Sequence, residues 1–446
     1  LRYLEYWKVR LVREALIERE ILLKAMPHIS WPMRFVLPYH KNMRFDVNTP
    51  TSKLLNIFMP WLKGRRPAWL IRFGLFLYDN LGGRKFLKGT TSLHLSNVKE
   101  GVPLHNKYLK AFEYSDCWIE DSRLVVLNAR DAEIRGAKIN VCTKVVSAEQ
   151  IKGIWHLTLH STIDDATRVV KARMIVNAGG PWVEDIIQNK VRLNSSEGVR
   201  LVRGSHLITK KLYEHNKCYF FQGEDGRIIF TIPYETDFTL IGTTDVEHFD
   251  ISIKPECTLE EKKYLVNFAS EYFETKVTID DIVKTYSGVR PLYNDNASSA
   301  SAATRDYVLS IDETLGAPIL NVFGGKITTY RKLSENALDK ISKILPKVGA
   351  SWTAGVPLPG GDFNIEDLES LINKLLKKYN FLDQKWASRL IKAYGTDAFE
   401  LLGHCENSKD LGISFGATLT EKEVIWLIEN EYAKTADDII WRRSKL

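Results

Sequence analysis

The sequence has few cysteines, and none are paired in a way that would indicate a metal or disulfide site. Five occur in 446 residues, with no C-x-x-C pair: Cys117, Cys142, Cys218, Cys257 and Cys405. Isolated cysteines of this kind are typical of free thiols in a reducing compartment. The pattern therefore excludes a disulfide framework, and it predicts no metal site.

Long apolar runs and dense basic runs are also absent. No segment reaches the ~18–20 consecutive apolar residues that cross a bilayer. In residues 54–80 aromatic and basic side chains interrupt aliphatic ones, which fits a helix in a membrane interface as well as a core helix. The net charge of +7 suits an acidic small molecule or an anionic surface. The basic residues are scattered along the sequence and form no dense run, which excludes a nucleic-acid-binding arm.

The first residues lack both a methionine and a signal-peptide pattern. The sequence opens with LRYLEYWKVR and has helical spacing from its start. We therefore expect the chain to be a fragment of a longer protein.

The order of apolar and polar residues predicts an α/β fold. Alternation between residues 200 and 250 predicts an inserted antiparallel sheet, and the composition changes near residue 350, before a run of short helices. Other predicted elements are helices at 122–129, 259–275 and 327–343 and strands at 137–146, 153–160, 172–180, 308–312 and 317–325. This architecture suits a nucleotide-cofactor domain that carries a substrate domain.

Two stretches share a strand–glycine–helix pattern, VNAGGPW at 176–182 and NVFGGKITTY at 321–330. The second contains Gly-Gly-Lys, but a triphosphate loop needs a glycine where Leu320 stands and a hydroxyl where Ile327 follows Lys326. That interpretation is excluded. What remains is a turn at which a flat ligand could approach the backbone beside a helix N-terminus. A single turn of this kind is also typical of glycines that serve packing only, but two in one chain favour a dinucleotide cofactor.

Three cations follow one another in the last part of the α/β region: Arg290, Arg305 and Lys326. If they converge, they would bind a phosphate or carboxylate well. Each alone is more typical of a surface ion pair. A lone strand histidine such as His206 is likewise more often structural than catalytic.

Many motifs resemble the FAD-dependent, quinone-linked glycerol-3-phosphate dehydrogenases, within the glutathione-reductase/D-amino-acid-oxidase-like flavoproteins. They occur in the family's order and include FEYSDCWIEDSRLVVLNA, RLVRGSHLI, IPYETDFTLIGTTDVE, TYSGVRPLYND, VFGGKITTYRKLSENAL and ADDIIWRRSKL. The resemblance implies oxidation of sn-glycerol 3-phosphate to dihydroxyacetone phosphate by hydride transfer to FAD, with electrons passed to quinone. It also implies a cytoplasmic enzyme, peripheral on the inner face of the cytoplasmic membrane.

The resemblance also implies roles for individual residues. Those near FAD would be Val145, Ala178, Gly179, Gly324, Gly325, Ile327, Thr328 and Thr329. Those around the substrate would be Arg2, Tyr3, Arg290 and Arg305, with Arg290 also catalytic. The base would be His206, whose unperturbed pKa of about 6.5 is nearest the working pH. Lys326 is an equally weighted alternative, as the group that holds the developing negative charge.

The sequence departs from the family at its start. Family members begin with a βαβ unit carrying G-x-G-x-x-G, and that unit is missing before LRYLE. We therefore expect the isolated chain to bind FAD poorly and to be inactive or unstable. A separately encoded N-terminal FAD-binding piece, a truncated sequence and a homodimer are all left open. The predicted domains are an incomplete FAD-binding domain at 1–200, interleaved with substrate-domain segments, a substrate domain at 200–315, a return to the FAD domain at 316–349, and a helical domain at 350–446.

Two other functions remain open from the sequence. One is a different FAD-dependent enzyme, an amine or amino-acid oxidase. The other is an inactive remnant that binds a membrane or a partner through residues 52–80.

Overall fold

The structure is a computed structural model that describes residues 2–44, 49–62, 65–223, 226–295, 306–345 and 349–446. Its α-helices are α1 (Arg2–Glu5), α2 (Val9–Ala25), α3 (Pro50–Phe58), α4 (Ala68–Asn80), α5 (Asp121–Ile134), α6 (Val183–Asp185), α7 (Leu259–Ser270), α8 (Tyr330–Ile341), α9 (Leu368–Lys378), α10 (Gln384–Tyr394), α11 (Ala398–Leu402) and α12 (Glu421–Asn430).

The strands are β1 (Ser30–Tyr39), β2 (Thr91–His94), β3 (Lys110–Ile119), β4 (Thr143–Ile151), β5 (Ile154–Ser161), β6 (Thr167–Ala172), β7 (Ile175–Asn177), β8 (Val199–Lys210), β9 (Cys218–Gln222), β10 (Ile228–Tyr234), β11 (Phe238–Gly242), β12 (Val246–Glu247), β13 (Ile282–Tyr293), β14 (Tyr307–Asp312), β15 (Ile319–Gly324), β16 (Ser414–Gly416) and β17 (Leu419–Thr420).

The described residues divide into two compact units. The first consists of Leu1–Ile17, Met33–Asp116 and Lys144–Lys347, and the second of Glu18–Pro32, Cys117–Thr143 and Val348–Leu446. The C-terminal helices thus share a unit with two segments that the sequence analysis placed in 1–200.

The large sheet of the first unit has the order β12-β8-β11-β10-β9-β1-β3-β2. Strand β8 pairs antiparallel with β13 along one side and with β11 and then β12 along the other. Residues 243–245 form the turn between β11 and β12, so they lie beside β8. This arrangement determines the geometry of the site described below.

Helix α7 covers one face of this sheet. It begins at a capping box in which the Thr258 side chain accepts from the backbone N–H of Glu261 while the Glu261 side chain accepts from the backbone N–H of Thr258. Its apolar side chains, among them Leu265 and Phe268, join Leu207 and Ile241 of the sheet in a buried core. Because strand side chains alternate between faces, the neighbours of Leu207 on β8 point to the opposite face.

A smaller sheet, in the order β14-β15-β7, carries the two glycine turns. Strands β15 and β7 are parallel, with Asn321 opposite Asn177. A second core in this region includes Trp155, Ile187 and Phe323.

The second unit is mainly helical and has its own core. Leu371, Leu390 and Leu427 are among its buried side chains. Two arginine–glutamate pairs lie in this interior as well. Arg123 binds Glu431 with both terminal guanidinium nitrogens, and its Nη2 donates to Oε1 at 2.8 Å. Arg389 donates from Nη1 to Oε1 and from Nη2 to Oε2 of Glu423, both at 2.7 Å. Such pairs leave neither charge uncompensated in the interior.

Most predicted elements occur, with altered limits. The strand predicted at 137–146 starts only at Thr143, after a turn in which Cys142 adopts a left-handed conformation with φ 51°. The strand predicted at 172–180 divides between the end of β6 and β7, so its glycines lie in the following turn. The helix predicted at 327–343 is a 3₁₀ turn at Ile327–Thr329 followed by α8.

Candidate active site

A histidine and an arginine lie on the face of the large sheet opposite α7. His206 of β8 is paired with Gly242 of β11 and Tyr286 of β13, and Gly204 of β8 is paired with Gly288. A Cβ on Gly242 would lie 2.2 Å from Cδ2 of His206, and a Cβ on Gly204 would lie 2.4 Å from the Arg290 guanidinium. Each glycine therefore leaves room for a functional side chain to lie flat on the sheet.

Arg290 reaches across Gly204 to the turn at 243–245. Its Nη2 donates to Oγ1 of Thr243 at 2.9 Å, and its Nη1 donates to Oδ1 of Asp245 at 2.9 Å. These bonds fix the direction of the guanidinium, and the Arg290 side chain, 28% exposed, is still accessible to a ligand. A planar fork held in this way is suited to a phosphate or carboxylate.

His206 is held in its neutral form. Its ring stacks on Tyr286 with centroids 4.8 Å apart, and its Nδ1 is buried without a hydrogen-bond partner. Burial, and then the charge of Arg290, lower the pKa of His206 to about 4. His206 is therefore neutral at neutral pH, but this low pKa makes it a weaker base than the unperturbed pKa of about 6.5 would. Its position beside Arg290, and not its pKa, keeps it a candidate.

The two glycine turns lie at one edge of the small sheet, because β7 and β15 are parallel and both end there. Buried Asn177 organises this edge. Its Nδ2 donates to Oδ1 of Asn321 and to the carbonyl of Val183, both at 3.0 Å, and its Oδ1 accepts from the backbone N–H of Gly179 at 3.2 Å. The 178–180 turn is thereby tied to both strands.

The turn after β15 depends on glycine. Gly324 and Gly325 have φ of +67° and +104°, which side-chain-bearing residues rarely adopt. A Cβ on Gly324 would also lie 3.0 Å from the carbonyl oxygen of Asp306 and 3.7 Å from that of Pro291. Since Pro291 follows Arg290, the glycine turn adjoins the strand that carries the arginine.

The structure brings some predicted residues together. Arg290 and His206 share one face, and Ala178, Gly179, Gly324 and Gly325 lie at the edge of the small sheet. Ile327, Thr328 and Thr329 form the 3₁₀ turn that follows, with Lys326 preceding it and Thr329 buried. Val145 lies on β4, partly buried.

Other predicted residues are described only in part. Arg305 lies outside the described residues, and for Arg2 and Tyr3 the structure describes the backbone of α1 and not the side chains. Across the described part of the chain, no group of three or more His, Cys, Asp or Glu side chains is arranged to hold a metal ion.

Several site residues were not predicted from the sequence. Thr243 and Asp245 hold Arg290, and Asn177 with Asn321 holds the glycine turn. The available signals were glycines inside strand patterns, at Gly204 and Gly242, which indicate close approach of another group. Polar residues ending apolar strands, such as Asn177, were a further signal.

Family profiles match nearly the whole chain. A profile described as FAD dependent oxidoreductase matches residues 1–331, and one described as C-terminal domain of alpha-glycerophosphate oxidase matches residues 351–446. The chain belongs to the FAD-dependent oxidoreductases. This confirms the predicted fold class, the enzyme class and FAD as the cofactor.

Individual relatives agree with this assignment. The chain is 45% identical over 445 residues to D-erythritol 1-phosphate dehydrogenase of Brucella abortus (strain 2308), covering 100% of this chain and 84% of the relative. It is 43% identical over 447 residues to glycerol-3-phosphate dehydrogenase of Pseudomonas aeruginosa, covering 100% and 82%. These alignments confirm the resemblance to the glycerol-3-phosphate dehydrogenase family.

The fold also matches a solved structure. The glycerol-3-phosphate dehydrogenase from Bacillus halodurans, complexed with FAD, superposes with a TM-score of 0.73 at 23% identity, covering 97% of this chain and 76% of that one. At this identity the likeness concerns the fold.

The residues present fit part of an FAD site. A Cβ on Gly180, where φ is +55°, would meet no atom within 4 Å, so the backbone of that turn is open to a ligand. The Gly324–Gly325 turn and the helix start after it offer backbone N–H groups to an electron-rich atom of a flat ring. When bound, FAD supplies a hydride acceptor.

Proposed function

We propose that this chain oxidises sn-glycerol 3-phosphate to dihydroxyacetone phosphate. The observation that carries the proposal is that a fixed arginine, Arg290, and a neutral histidine, His206, lie on the same face of the large sheet. The strand that carries Arg290 also adjoins the Gly324–Gly325 turn. The substrate is a phosphate monoester of charge about −2 at neutral pH. Arg290 binds this phosphate through charge-assisted hydrogen bonds.

The reaction removes two hydrogens from the secondary alcohol. Bound FAD would supply the acceptor for the C2 hydrogen as a hydride, and a base of this chain would take the hydroxyl proton, which creates the carbonyl. His206 is one candidate for the base. Lys326, at the start of the 3₁₀ turn, is the other, or else holds the negative charge that develops.

The test is dye reduction with glycerol 3-phosphate by the FAD-loaded protein, assembled with a separately made N-terminal FAD-binding piece where the chain alone does not retain FAD. We expect turnover, and we expect H206N or K326A, but not both, to abolish the pH dependence of kcat. A preparation with full FAD occupancy that reduces no dye would refute the proposal.

A second substrate is favoured by a specific observation, since the relative from Brucella abortus at 45% identity is named for D-erythritol 1-phosphate. Both compounds carry a phosphate monoester next to a secondary alcohol, and they differ by one CHOH group. The ratio of kcat/KM for the two substrates decides between them. A preference for an amine or amino acid in the same panel would instead support the alternative oxidase.

We further propose that electrons pass to a quinone and that the chain sits on the inner face of the cytoplasmic membrane through residues 52–80. Seven large apolar side chains in the described part of this segment are exposed: Leu54, Ile57, Phe58, Trp61, Trp69, Phe73 and Phe76. Among the described residues, no helix has the length and hydropathy to cross a bilayer. Because these side chains are exposed, we propose that the segment attaches by docking at the membrane interface. That the chain forms a homodimer, or binds a separately encoded N-terminal FAD-binding piece, remains a prediction.

A further inference from the structure

A polar cluster lies behind the site, on the α7 face of β8. At its centre is Glu261, which is 5% exposed. Its Oε1 accepts from Oγ of Ser205 at 2.8 Å and from Oγ1 of Thr244 at 2.7 Å. Its Oε2 accepts from Nη2 of Arg203 and from the backbone N–H of Thr258, both at 3.0 Å.

Glu261 remains ionised in this surrounding. Burial raises its pKa, but the hydrogen bonds from Thr244, Thr258 and Ser205 and the charge of Arg203 outweigh burial and lower it below the ordinary value. A carboxylate with four donors is a rigid anchor, because moving any one partner leaves a buried group unsatisfied.

The anchor reaches the turn that holds Arg290. Thr244 bonds Glu261 through its hydroxyl, and the same hydroxyl accepts from the backbone N–H of Ser205 at 2.9 Å. The residues on either side of it, Thr243 and Asp245, hold the guanidinium of Arg290 on the front face. The position of Arg290 is therefore set from behind the sheet.

We propose that Glu261 is a positioning residue for Arg290 and acts through Thr244 and the turn at 243–245. The inference rests on the proposed function, because it takes Arg290 to be the phosphate-binding group. Capping α7 does not by itself account for this cluster. The capping box at Thr278 works with Asp281 accepting from the backbone and hydroxyl of Thr278. Glu261 in addition binds two hydroxyls from the sheet.

The first test is T244V, which removes the hydroxyl and keeps the shape of the side chain. We expect the KM for glycerol 3-phosphate and the inhibition constant of inorganic phosphate to rise on the order of three- to tenfold, with kcat changed by less than about twofold. T244S retains the hydroxyl and is expected to restore wild-type values.

The matched control is T209V. Thr209 is a fully buried threonine of β8, the strand beside which the turn at 243–245 lies, and its hydroxyl donates to the carbonyl of Thr239 at 3.2 Å. T209V should lower the unfolding temperature and leave KM and phosphate inhibition unchanged. If T244V behaves like T209V in these assays, Thr244 is merely structural and the inference is wrong.

A second readout does not depend on turnover. Arg290 is one cause of the lowered pKa of His206, so displacing Arg290 raises that pKa. The titration is followed by NMR of ring-labelled histidines, with His206 assigned from the signal lost in H206N. T244V should raise the pKa of His206 and T209V should not.

E261Q distinguishes the effect of the Glu261 charge on His206 from the effect of the Arg290 charge. Loss of the Glu261 charge alone would lower the pKa of His206, whereas displacement of Arg290 raises it, so a rise identifies displacement. An unchanged or lowered value in both T244V and E261Q overturns the inference. Absence of wild-type turnover would count against the proposed function, and the NMR titration would still decide the positioning role.

Discussion

At the scale of single residues, the site depends on how one positive charge is held. Two arginines, Arg290 and Arg305, were predicted to bind the phosphate, and of these Arg290 lies in the described part of the chain. We expect R290Q to raise KM for the phosphate substrate roughly 10- to 150-fold, because the lost charge-assisted hydrogen bonds contribute about 1.5–3 kcal/mol to binding. R290K keeps the charge without the fork and should fall between. Steady-state kinetics measures both.

R290Q should also change the titration of His206. Burial is the larger cause of the lowered pKa and the Arg290 charge the smaller, so the pKa should rise from about 4 and stay below the ordinary value. An unchanged NMR titration of His206 in R290Q would show that the two groups do not interact.

A second histidine lowers the stability of the second unit in acid. His28 is fully buried, both ring nitrogens are without hydrogen-bond partners, and burial, then Arg123 and Arg130, lower its pKa to about 3. In the unfolded chain His28 takes up a proton at about pH 6.5, whereas in the folded protein it stays neutral down to about pH 3. The free energy of unfolding is therefore unaffected by His28 above about pH 6.5. Between about pH 6.5 and pH 3 it falls by about 1.4 kcal/mol for each pH unit.

We therefore expect H28L to reduce the loss of stability between pH 6.5 and pH 4, as measured by urea unfolding at each pH. Replacing the exposed His94 by Gln is the control. Equal pH slopes for H28L and the wild type would contradict the prediction.

At the scale of secondary-structure elements, the site depends on glycines within strands. G204A places a Cβ 2.4 Å from the Arg290 guanidinium, and G242A places one 2.2 Å from the ring of His206. We expect G204A mainly to raise KM and G242A mainly to lower kcat, each by at least about tenfold, because each displaces a different group. G355A, with no atom within 4 Å of the new Cβ, is the control for added bulk.

The turn at the edge of the small sheet gives a matching prediction for the cofactor. N177L removes the side chain that bonds Gly179, Asn321 and Val183, so the 178–180 turn loses its anchor. We expect FAD affinity, measured by fluorescence titration, to fall on the order of tenfold or more, since an unsatisfied buried amide costs about 1–3 kcal/mol. Retained affinity would show that the turn holds its shape without Asn177.

These elements also show how far the sequence alone could lead. The Gly324–Gly325 turn was predicted, because a strand, two glycines and a helix are local in sequence. The contact between Arg290 and the turn at 243–245 was not, because it needs the register of β13, β8 and β11. That register depends on sheet pairing between residues that are far apart in the chain. The neutral state of His206 was missed for the same reason, since burial is a tertiary property.

At the scale of the whole molecule, exposed apolar side chains gather between residues 57 and 76. Trp61 is 71% exposed, Trp69 57% and Phe73 53%, and basic residues such as Lys53 and Arg65 are exposed in the same segment. Aromatic rings favour the boundary between headgroups and acyl chains, and lysine and arginine favour anionic lipids. We expect the protein to float with vesicles of phosphatidylethanolamine and phosphatidylglycerol.

Replacing Trp61, Trp69 and Phe73 by serine should reduce the floated fraction severalfold, because each replacement removes apolar area from the interface. The control replaces three aromatic residues that are also exposed, Phe249, Phe415 and Trp441, by serine. If both triple variants float equally, attachment does not run through residues 52–80. If only the first loses binding while its dye reduction with glycerol 3-phosphate is unchanged, this segment serves attachment and the sheet face around Arg290 serves the reaction.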